Sequence, residues 1–177
     1  MSRVAKRYAK ALFELAEEQK VLEKVYADLL AVAKTVKDSD ELQTLLINPL
    51  VNESDKLRVL DRVFSERFQN LTRTFLKLLA DKRRLSELQE IVDKFHRMML
   101  DHKNQVEVQL ISAIDLERPV VEKISKQIQQ IIGKEVLVNE RVEPSIIGGF
   151  VVKVEDLVID NSIRSQLNRL RDQLIAR

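Results

Sequence analysis

Apolar side chains recur at helical spacing through the first hundred residues. From Arg3 to about His102 they return every three or four positions, which predicts amphipathic helices. Asp38-Ser39-Asp40 and Asn48-Pro49 divide this region, because such residues supply N-caps and helix stops. We expect six helices, over about 3–18, 21–36, 40–46, 52–68, 71–82 and 86–102. Six helices joined by short connections predict an antiparallel bundle.

The apolar spacing changes in the remainder of the chain. Val106, Val108 and Leu110 alternate with polar residues, which is typical of a half-buried strand. Pro119 begins a helix with one narrow apolar stripe, and Gly133 follows it as a C-cap. The other expected elements are strands over about 136–142, 146–154 and 157–159, the last two forming a hairpin, and a final helix that is capped by Asn161-Ser162.

These patterns predict a mainly α fold with two domains. The first is an N-terminal six-helix antiparallel bundle over residues 1–104, and the second is a small α+β C-terminal domain over residues 105–177. A unit of about 70 residues has a marginal core when it stands alone. We therefore expect the second domain to depend on partners for full order.

Two of the expected bundle helices carry more apolar surface than a surface helix needs. An ordinary amphipathic helix has an apolar arc of a little over ~100°, but these two arcs span about 200° at ~100° per residue. The arc residues are Val4, Ala5, Tyr8, Ala9, Ala11, Leu12, Phe13, Leu15 and Ala16 in the first helix, and Leu71, Phe75, Leu76, Leu78, Leu79 and Ala80 in the fifth.

Two interpretations of the wide arcs stay open. Each helix is wedged centrally among its neighbours, or part of each arc faces the core and the rest forms an exposed groove. A groove between two such helices would accept an amphipathic helix from a partner.

Composition removes several function classes. The 177-residue chain has no Cys, which excludes disulfide scaffolds and cysteine nucleophiles, and only three Gly and three Pro. Its net charge is +2, divided as +3 up to Asn104 and −1 after it, so neither half has the bias of a nucleic-acid binder. No stretch approaches the ~18 apolar residues of a membrane span, and the N-terminus lacks a signal-peptide pattern. We expect no direct membrane insertion.

No catalytic constellation can be assembled from the remaining candidates. His96 and His102 are too far apart around a helix to share a metal, and we expect both to be solvated. Gly148-Gly149 precedes a strand, so a backbone bulge or a close backbone approach explains it better than a nucleotide site. Lys82-Arg83-Arg84 lies at a helix C-terminus, where cations are favoured. We predict no catalytic, cofactor-binding or metal-binding residue, and no enzyme.

The final helix presents a narrow apolar seam of coiled-coil width. It consists of Ile163, Leu167, Leu170 and Leu174. The seam is either buried against the chain's own sheet or free for a partner.

Several motifs together resemble the delta subunit family of bacterial F-type ATP synthase, equivalent to the mitochondrial oligomycin-sensitivity-conferring protein. The resemblance covers essentially the whole chain and is strongest near the C-terminus. Its motifs, in order, are Ala5-x-x-Tyr8-Ala9-x-Ala11-Leu12-Phe13; Asn48-Pro49 with Lys56; Phe75-Leu76-x-Leu78-Leu79 with Arg84-Leu85; Ile147-Gly148-Gly149-Phe150-Val151-Val152-Lys153; and Asp160-x-Ser162-x-Arg164-x-x-Leu167-x-x-Leu170.

The resemblance implies a non-catalytic stator subunit, present once per complex and monomeric alone. In this family the helical bundle receives the N-terminal helix of an alpha subunit between its first and fifth helices, the two whose arcs are wide here. The binding residues implied on this chain are Tyr8, Ala11, Leu12, Leu15, Phe75, Leu78 and Leu79.

The resemblance also implies that the C-terminal unit binds the b subunit of the peripheral stalk. The seam of Ile163, Leu167, Leu170 and Leu174 on the final helix is one candidate surface. The sheet edge and the helix beginning near Glu117 are the alternatives if the seam is internal. The implied location is peripheral, at the cytoplasmic face of the bacterial plasma membrane.

A different class remains as the alternative function. An RNA- or ribosome-associated factor would fit the sequence pI near 8.8, the basic run Lys82-Arg83-Arg84 and the two-domain layout. The near-zero net charge of each half and the lack of interleaved aromatic residues weigh against it.

Overall fold

The fold consists of a helical bundle and a small mixed α/β unit. The structure is a computed structural model, and it describes residues 3–64, 68–155 and 157–175. The chain divides into two compact units, Met1–Met99 and Leu100–Arg177. The division falls inside the sixth helix, which continues from the first unit into the second.

Six α-helices lie in or begin in the first unit of the described chain. They are α1 (Arg3–Glu18), α2 (Leu22–Asp38), α3 (Asp40–Ile47), α4 (Glu53–Phe64), α5 (Asn70–Asp81) and α6 (Leu88–His102). The start of α3 shows why the boundaries fall where they do. The Ser39 hydroxyl oxygen accepts a hydrogen bond from the Leu42 backbone N–H at 3.2 Å, which satisfies one of the free donors at the helix start.

One apolar core joins these helices. Ala5, Ala9 and Ala16 are fully buried on α1. Phe13 of α1 packs against Phe95 of α6, with ring centroids 5.5 Å apart. Part of the wide apolar arc of α1 therefore packs in the bundle core.

Two bundle boundaries differ from the prediction. The helix expected over 52–68 is described only to Phe64; residues 65–67 lie outside the described residues, and Phe68 is buried beyond the helix. Its ring stacks on Phe64 at 4.8 Å, so its apolar character reflects core packing. The last bundle helix starts at Leu88 and is preceded by a 3₁₀ turn over Leu85–Glu87.

The second unit contains a four-stranded mixed sheet and two helices. Its elements are β1 (Gln105–Ser112), α7 (Arg118–Ile132), β2 (Glu135–Val142), β3 (Gly149–Val154), β4 (Leu157–Ser162) and α8 (Ile163–Ile175). The strand order is β2-β1-β3-β4. β1 and β2 are parallel, whereas β3 is antiparallel to both β1 and β4. β2 and β4 are therefore the two sheet edges.

Helix α7 covers one face of this sheet. Ile124 and Ile128 on α7 pack with the inward-facing residues Val106, Val108 and Leu110 of β1. The alternation that predicted a half-buried strand is thus confirmed, with α7 as the covering layer. Gly133 ends α7 in the left-handed conformation, with φ of 74°, as a C-cap should.

The start of β3 departs from the prediction. The strand begins at Gly149, because Ile147 and Gly149 both have positive φ, 71° and 73°, and turn the chain into the sheet. A side chain at Gly149 would place Cβ 2.3 Å from the Asn161 carbonyl oxygen. Gly148-Gly149 is therefore a site of close backbone approach, and β4 extends to Ser162.

Candidate partner-binding surfaces

The wide apolar arc of α1 is divided between the core and solvent. Its buried residues occupy about 100° of the helix and its remaining apolar residues about 60° beside them, at ~100° per residue. The buried set is Ala5, Ala9, Leu12, Phe13 and Ala16. The outer set is Val4 and Tyr8, which are half-buried, and Ala11 and Leu15, which are exposed.

The wide arc of α5 is divided in the same way. Phe75, Leu76 and Leu79 face the core, whereas Leu78 is 42% exposed and Leu71 is half-buried. The bundle core therefore covers only part of the apolar arc of each helix. The interpretation in which both helices are simply wedged among neighbours therefore does not hold for Leu15 and Leu78.

An aromatic contact brings the two helices together at the inner edge of these outer faces. The rings of Tyr8 and Phe75 meet edge to face, with centroids 6.4 Å apart. The Arg7 guanidinium carbon lies 5.7 Å from the centroid of the Tyr8 ring. We refer to the outer apolar residues as the docking strip: Val4, Tyr8, Ala11 and Leu15 on α1, and Leu71 and Leu78 on α5.

The seven residues predicted for this surface fall into two groups. Tyr8, Ala11, Leu15 and Leu78 lie on the docking strip. Leu12, Phe75 and Leu79 are buried in the bundle core, so they support the strip from beneath and present no area to a partner. Val4 and Leu71 were not predicted, although their positions on the helical projection beside Leu15 and Leu78 would have identified them.

The apolar seam of α8 lies open to solvent. Ile163, Leu167, Leu170 and Leu174 are 43%, 53%, 56% and 75% exposed. α8 has no buried side chain among its described residues. Of the two interpretations left open by the sequence, burial against the chain's own sheet is therefore wrong. Edge strand β4 adds the exposed side chains Leu157, Val158 and Ile159 to the apolar surface of this unit.

A hydrogen-bonded cap fixes the start of α8. The Asp160 carboxylate accepts hydrogen bonds from the Ser162 backbone N–H and the Ser165 hydroxyl, and the Ser162 hydroxyl oxygen accepts one from the Ser165 backbone N–H. The hydrogen bonds from Ser162 and Ser165 lower the pKa of Asp160 to about 2. This cap sets where the exposed seam begins. The prediction that Asn161-Ser162 caps the final helix is confirmed for Ser162.

The two histidines occupy different environments. His102 is exposed, as expected, but the expectation of a solvated His96 is wrong, since its Nδ1 is hydrogen-bonded to the Tyr26 hydroxyl and its ring stacks on Tyr26. No group of metal-ligating side chains occurs among the described residues. Over the same ranges, no helix is both long and apolar enough to cross a bilayer.

Comparison with known proteins points to a single complex. The family model for the ATP synthase delta (OSCP) subunit matches residues 4–174. The chain is 34% identical to the ATP synthase subunit delta of Alkaliphilus metalliredigens over 97% of this chain and 96% of that protein. It is 36% identical to the subunit delta of Carboxydothermus hydrogenoformans, covering 95% and 94% of the two chains.

A solved structure shares the whole fold. A chain in the cryo-EM structure of the Toxoplasma gondii mitochondrial ATP synthase hexamer superposes with a TM-score of 0.78 at 28% identity, covering 99% of both chains. The similarity therefore extends over both units of this chain.

Proposed function

The chain belongs to the ATP synthase delta (OSCP) subunit family and is a non-catalytic stator subunit of ATP synthase, and we propose that it joins two partners within that complex. The docking strip of the bundle would hold the N-terminal helix of an alpha subunit. The α8 seam would hold the b subunit of the peripheral stalk. The alternative of an RNA- or ribosome-associated factor is not supported, since the relatives and solved structure described above are ATP synthase components.

The proposed role is mechanical. Proton flow turns the rotor, and the resulting torque would spin the catalytic head unless a stationary frame held it. A subunit bound to the head at one end and to the stalk at the other closes that frame. Both joints must hold under load, so tight binding is itself the function and a loose joint would uncouple proton flow from ATP synthesis.

The observation that carries the proposal is the part of each wide apolar arc that the bundle core leaves uncovered. Leu15 and Leu78 each keep more than two-fifths of their surface exposed beside the Tyr8–Phe75 contact. Adjacent apolar strips on two helices form the kind of surface that binds a third, amphipathic helix. A helix of about 20 residues would bury an area near the low end of standard interfaces, which is compatible with micromolar to nanomolar binding.

Calorimetric titration with a peptide from the N-terminus of the cognate alpha subunit tests this surface. We expect one-to-one binding, weakened at least tenfold by Leu78→Asp because a carboxylate would be desolvated against the peptide's apolar face. Leu50→Asp is the matched control, since Leu50 is 90% exposed in the loop after α3 and the variant adds the same charge. Equal loss in both variants, or no loss in a folded Leu78→Asp protein, would remove the strip from the interface.

The second joint is tested by comparing three apolar surfaces of the C-terminal unit. Leu170→Asp changes the α8 seam, Val158→Asp changes edge strand β4, and Ile131→Asp changes the open side of α7. All three side chains are more than half exposed, so each variant should fold. We expect only Leu170→Asp to weaken binding of a soluble b-subunit fragment tenfold or more; selective loss in either other variant would move the joint to the sheet edge or to α7.

Membrane attachment follows from the complex. The subunit is a peripheral component of ATP synthase, with no helix in its described ranges suited to spanning a bilayer. We place it at the cytoplasmic face of a bacterial plasma membrane. Fractionation of the native cells should show it leaving the membrane with the alpha subunit when the catalytic head is detached, and membrane retention without the head would contradict this placement.

A further inference from the structure

A cleft in the bundle lies between α2, α3 and the start of α6. Its volume is about 380 Å³, and it shares no residue with the docking strip. Pockets that bind small molecules have volumes of ~300–1,000 Å³ and mostly apolar walls. The floor of this cleft is apolar, and the six side chains that form it are at most 6% exposed. They are Val32 and Val36 of α2, Leu46 of α3, Leu85 of the 3₁₀ turn, and Leu88 and Val92 of α6.

Two hydrogen bonds hold the α3 wall of this cleft in place. Gln43 Nε2 donates to the Lys37 backbone carbonyl oxygen at 3.2 Å, which joins α3 to the last turn of α2. The Leu46 carbonyl oxygen accepts a hydrogen bond from the enclosed Lys56 ammonium at 3.0 Å. The cleft is therefore formed by the fold itself, as is usual for small-molecule sites.

The polar side chains that line the cleft include a single cation. Lys37, Ser86 and Gln89 are exposed at its mouth, and of the described residues that line the cleft only Lys37 is charged. Within the described part of the chain, the Lys37 ammonium makes no ion pair and the Ser86 hydroxyl makes no hydrogen bond. An apolar floor below an unpaired cation and a free hydroxyl suits an apolar molecule with one anionic end.

We propose that this cleft binds a free medium-chain carboxylate, with the alkyl chain against the floor and the carboxylate beside Lys37. At ~30 Å³ per non-hydrogen atom, the volume corresponds to about a dozen such atoms, slightly more than octanoate contains. A diacyl phospholipid is several times larger, so the ligand is a free acid and not a lipid of the bilayer. Burial of the alkyl chain supplies the driving force, and Lys37 with Ser86 selects the headgroup.

An adjoining depression carries the opposite charge. It contains Asp40 and shares Gln43 and Ile47 with the cleft. Asp40 does not line the cleft itself, so the head of a ligand seated on the floor meets Lys37. A cationic head would be repelled by Lys37 and would have to reach the adjoining depression to find Asp40. The charge of the headgroup therefore decides between two ligand classes.

NMR titration of the full-length chain, with labelled methyl groups, measures this selection. Octanoate is the probe, and we expect it to shift the methyl signals of Val32, Leu46 and Leu88 with a Kd on the order of 1 mM. Octan-1-ol has the same chain without the charge, and octan-1-amine has the opposite charge. We expect both to bind at least about threefold more weakly than octanoate. Shifts confined to other surfaces, or equal affinity for the three probes, would overturn the proposal.

Lys37→Gln isolates the headgroup contact. We expect it to weaken octanoate binding about two- to fivefold, the effect of losing one exposed ion pair, and to leave octan-1-ol binding unchanged. Lys34→Gln is the matched control, because Lys34 is exposed on the same helix and does not line the cleft. Equal weakening in the two variants would show that octanoate responds only to the overall charge of the chain, which would contradict a site at Lys37.

A variant that fills the cleft tests the position of the alkyl chain. Ala33 is half-buried on α2 and lines the cleft, so Ala33→Leu would occupy part of its volume. We expect octanoate and octan-1-ol to bind this variant at least about tenfold more weakly, because the alkyl chain loses its buried surface. Undiminished octanoate binding by a folded Ala33→Leu protein would place the ligand elsewhere. If urea unfolding shows that this variant does not fold, the comparison of Lys37→Gln with Lys34→Gln decides the proposal.

Discussion

Lys56 is the most unusual single residue in the bundle, because its charge is almost wholly enclosed. It is 2% exposed, and its Nζ donates to the Leu46 carbonyl oxygen at 3.0 Å and to Glu53 Oε1 at 2.9 Å. The Leu46 carbonyl lies in the last turn of α3, where a cation is favoured. The ammonium thus joins α4 to the end of α3 and neutralises a partly enclosed carboxylate.

We predict that Lys56→Met destabilises the bundle by about 2–4 kcal/mol, since it leaves Glu53 enclosed without its cation. Lys56→Met combined with Glu53→Gln should recover part of this loss, because the unpaired charge is then removed. Urea unfolding gives both values. Lys10→Met, which breaks an exposed pair, should cost at most about 0.5 kcal/mol, and an equal cost for Lys56→Met would show that enclosure has no energetic consequence.

Two glycines with the same backbone conformation differ in the space around them. Gly133 and Gly149 have φ of 74° and 73°, but a Cβ at Gly133 meets nothing within 4 Å, whereas one at Gly149 would lie 2.3 Å from the Asn161 carbonyl oxygen. The comparison separates conformational strain from steric overlap. The sequence pattern revealed both glycines, but only the fold shows which one is confined by β4.

We expect Gly133→Ala to lower the free energy of unfolding by about 1 kcal/mol, because the alanine must adopt a strained left-handed conformation. Gly149→Ala should cost about 2–4 kcal/mol, because β3 and β4 must also separate to admit the methyl group. Urea unfolding followed by amide exchange in the sheet measures both. Equal losses of unfolding free energy in the two variants would mean that the β3–β4 hairpin accommodates the methyl group beside Asn161 without an energetic penalty.

At the scale of elements, α8 depends on its cap more than on packing. The helix has no buried side chain among its described residues, so the contacts of Asp160, Ser162 and Ser165 are the main interactions that fix its first turn. An exposed helix of 13 residues is marginal in isolation. Partner binding along its seam would supply the missing tertiary contacts.

We predict an acid-sensitive α8. The pKa of Asp160 is about 2 in the fold against 3.8 for an unperturbed aspartate, so the cap is fully formed above about pH 4 and is lost as the pH falls from about 4 to about 2. Amide signals of α8 followed by NMR should show this loss. Asp160→Asn should remove the pH dependence, and an unchanged acid transition in that variant would show that other carboxyl groups control the helix.

The helices and strands themselves follow closely from the sequence, and the boundaries that fail do so for local reasons. The spacing of apolar residues identified α1 and α5 as helices with unusually wide apolar arcs, because the width of an arc can be calculated from the sequence alone. Which side of each arc faces the core was not predictable, since that depends on neighbours brought together from distant positions, as in the Tyr8–Phe75 contact. The late start of β3 was missed because a positive φ at Ile147 is rare for a β-branched residue.

At the scale of the whole molecule, two open apolar surfaces lie on two separate units. The docking strip belongs to Met1–Met99 and the α8 seam to Leu100–Arg177. This division is what the proposed stator role requires, since each of the two proposed partners would then bind a surface on a different unit. The seam's openness was one of two possibilities in the sequence, because a narrow stripe looks the same whether it faces a sheet or a partner.

The stator role is tested most directly by asking whether one chain holds both partners at once. Native mass spectrometry of the full chain mixed with the alpha N-terminal peptide and a soluble b-subunit fragment should show one chain bound to both. Leu78→Asp should lose only the peptide and Leu170→Asp only the b fragment. Competition between the partners, or loss of both from a single folded variant, would contradict a subunit that bridges head and stalk through two independent surfaces.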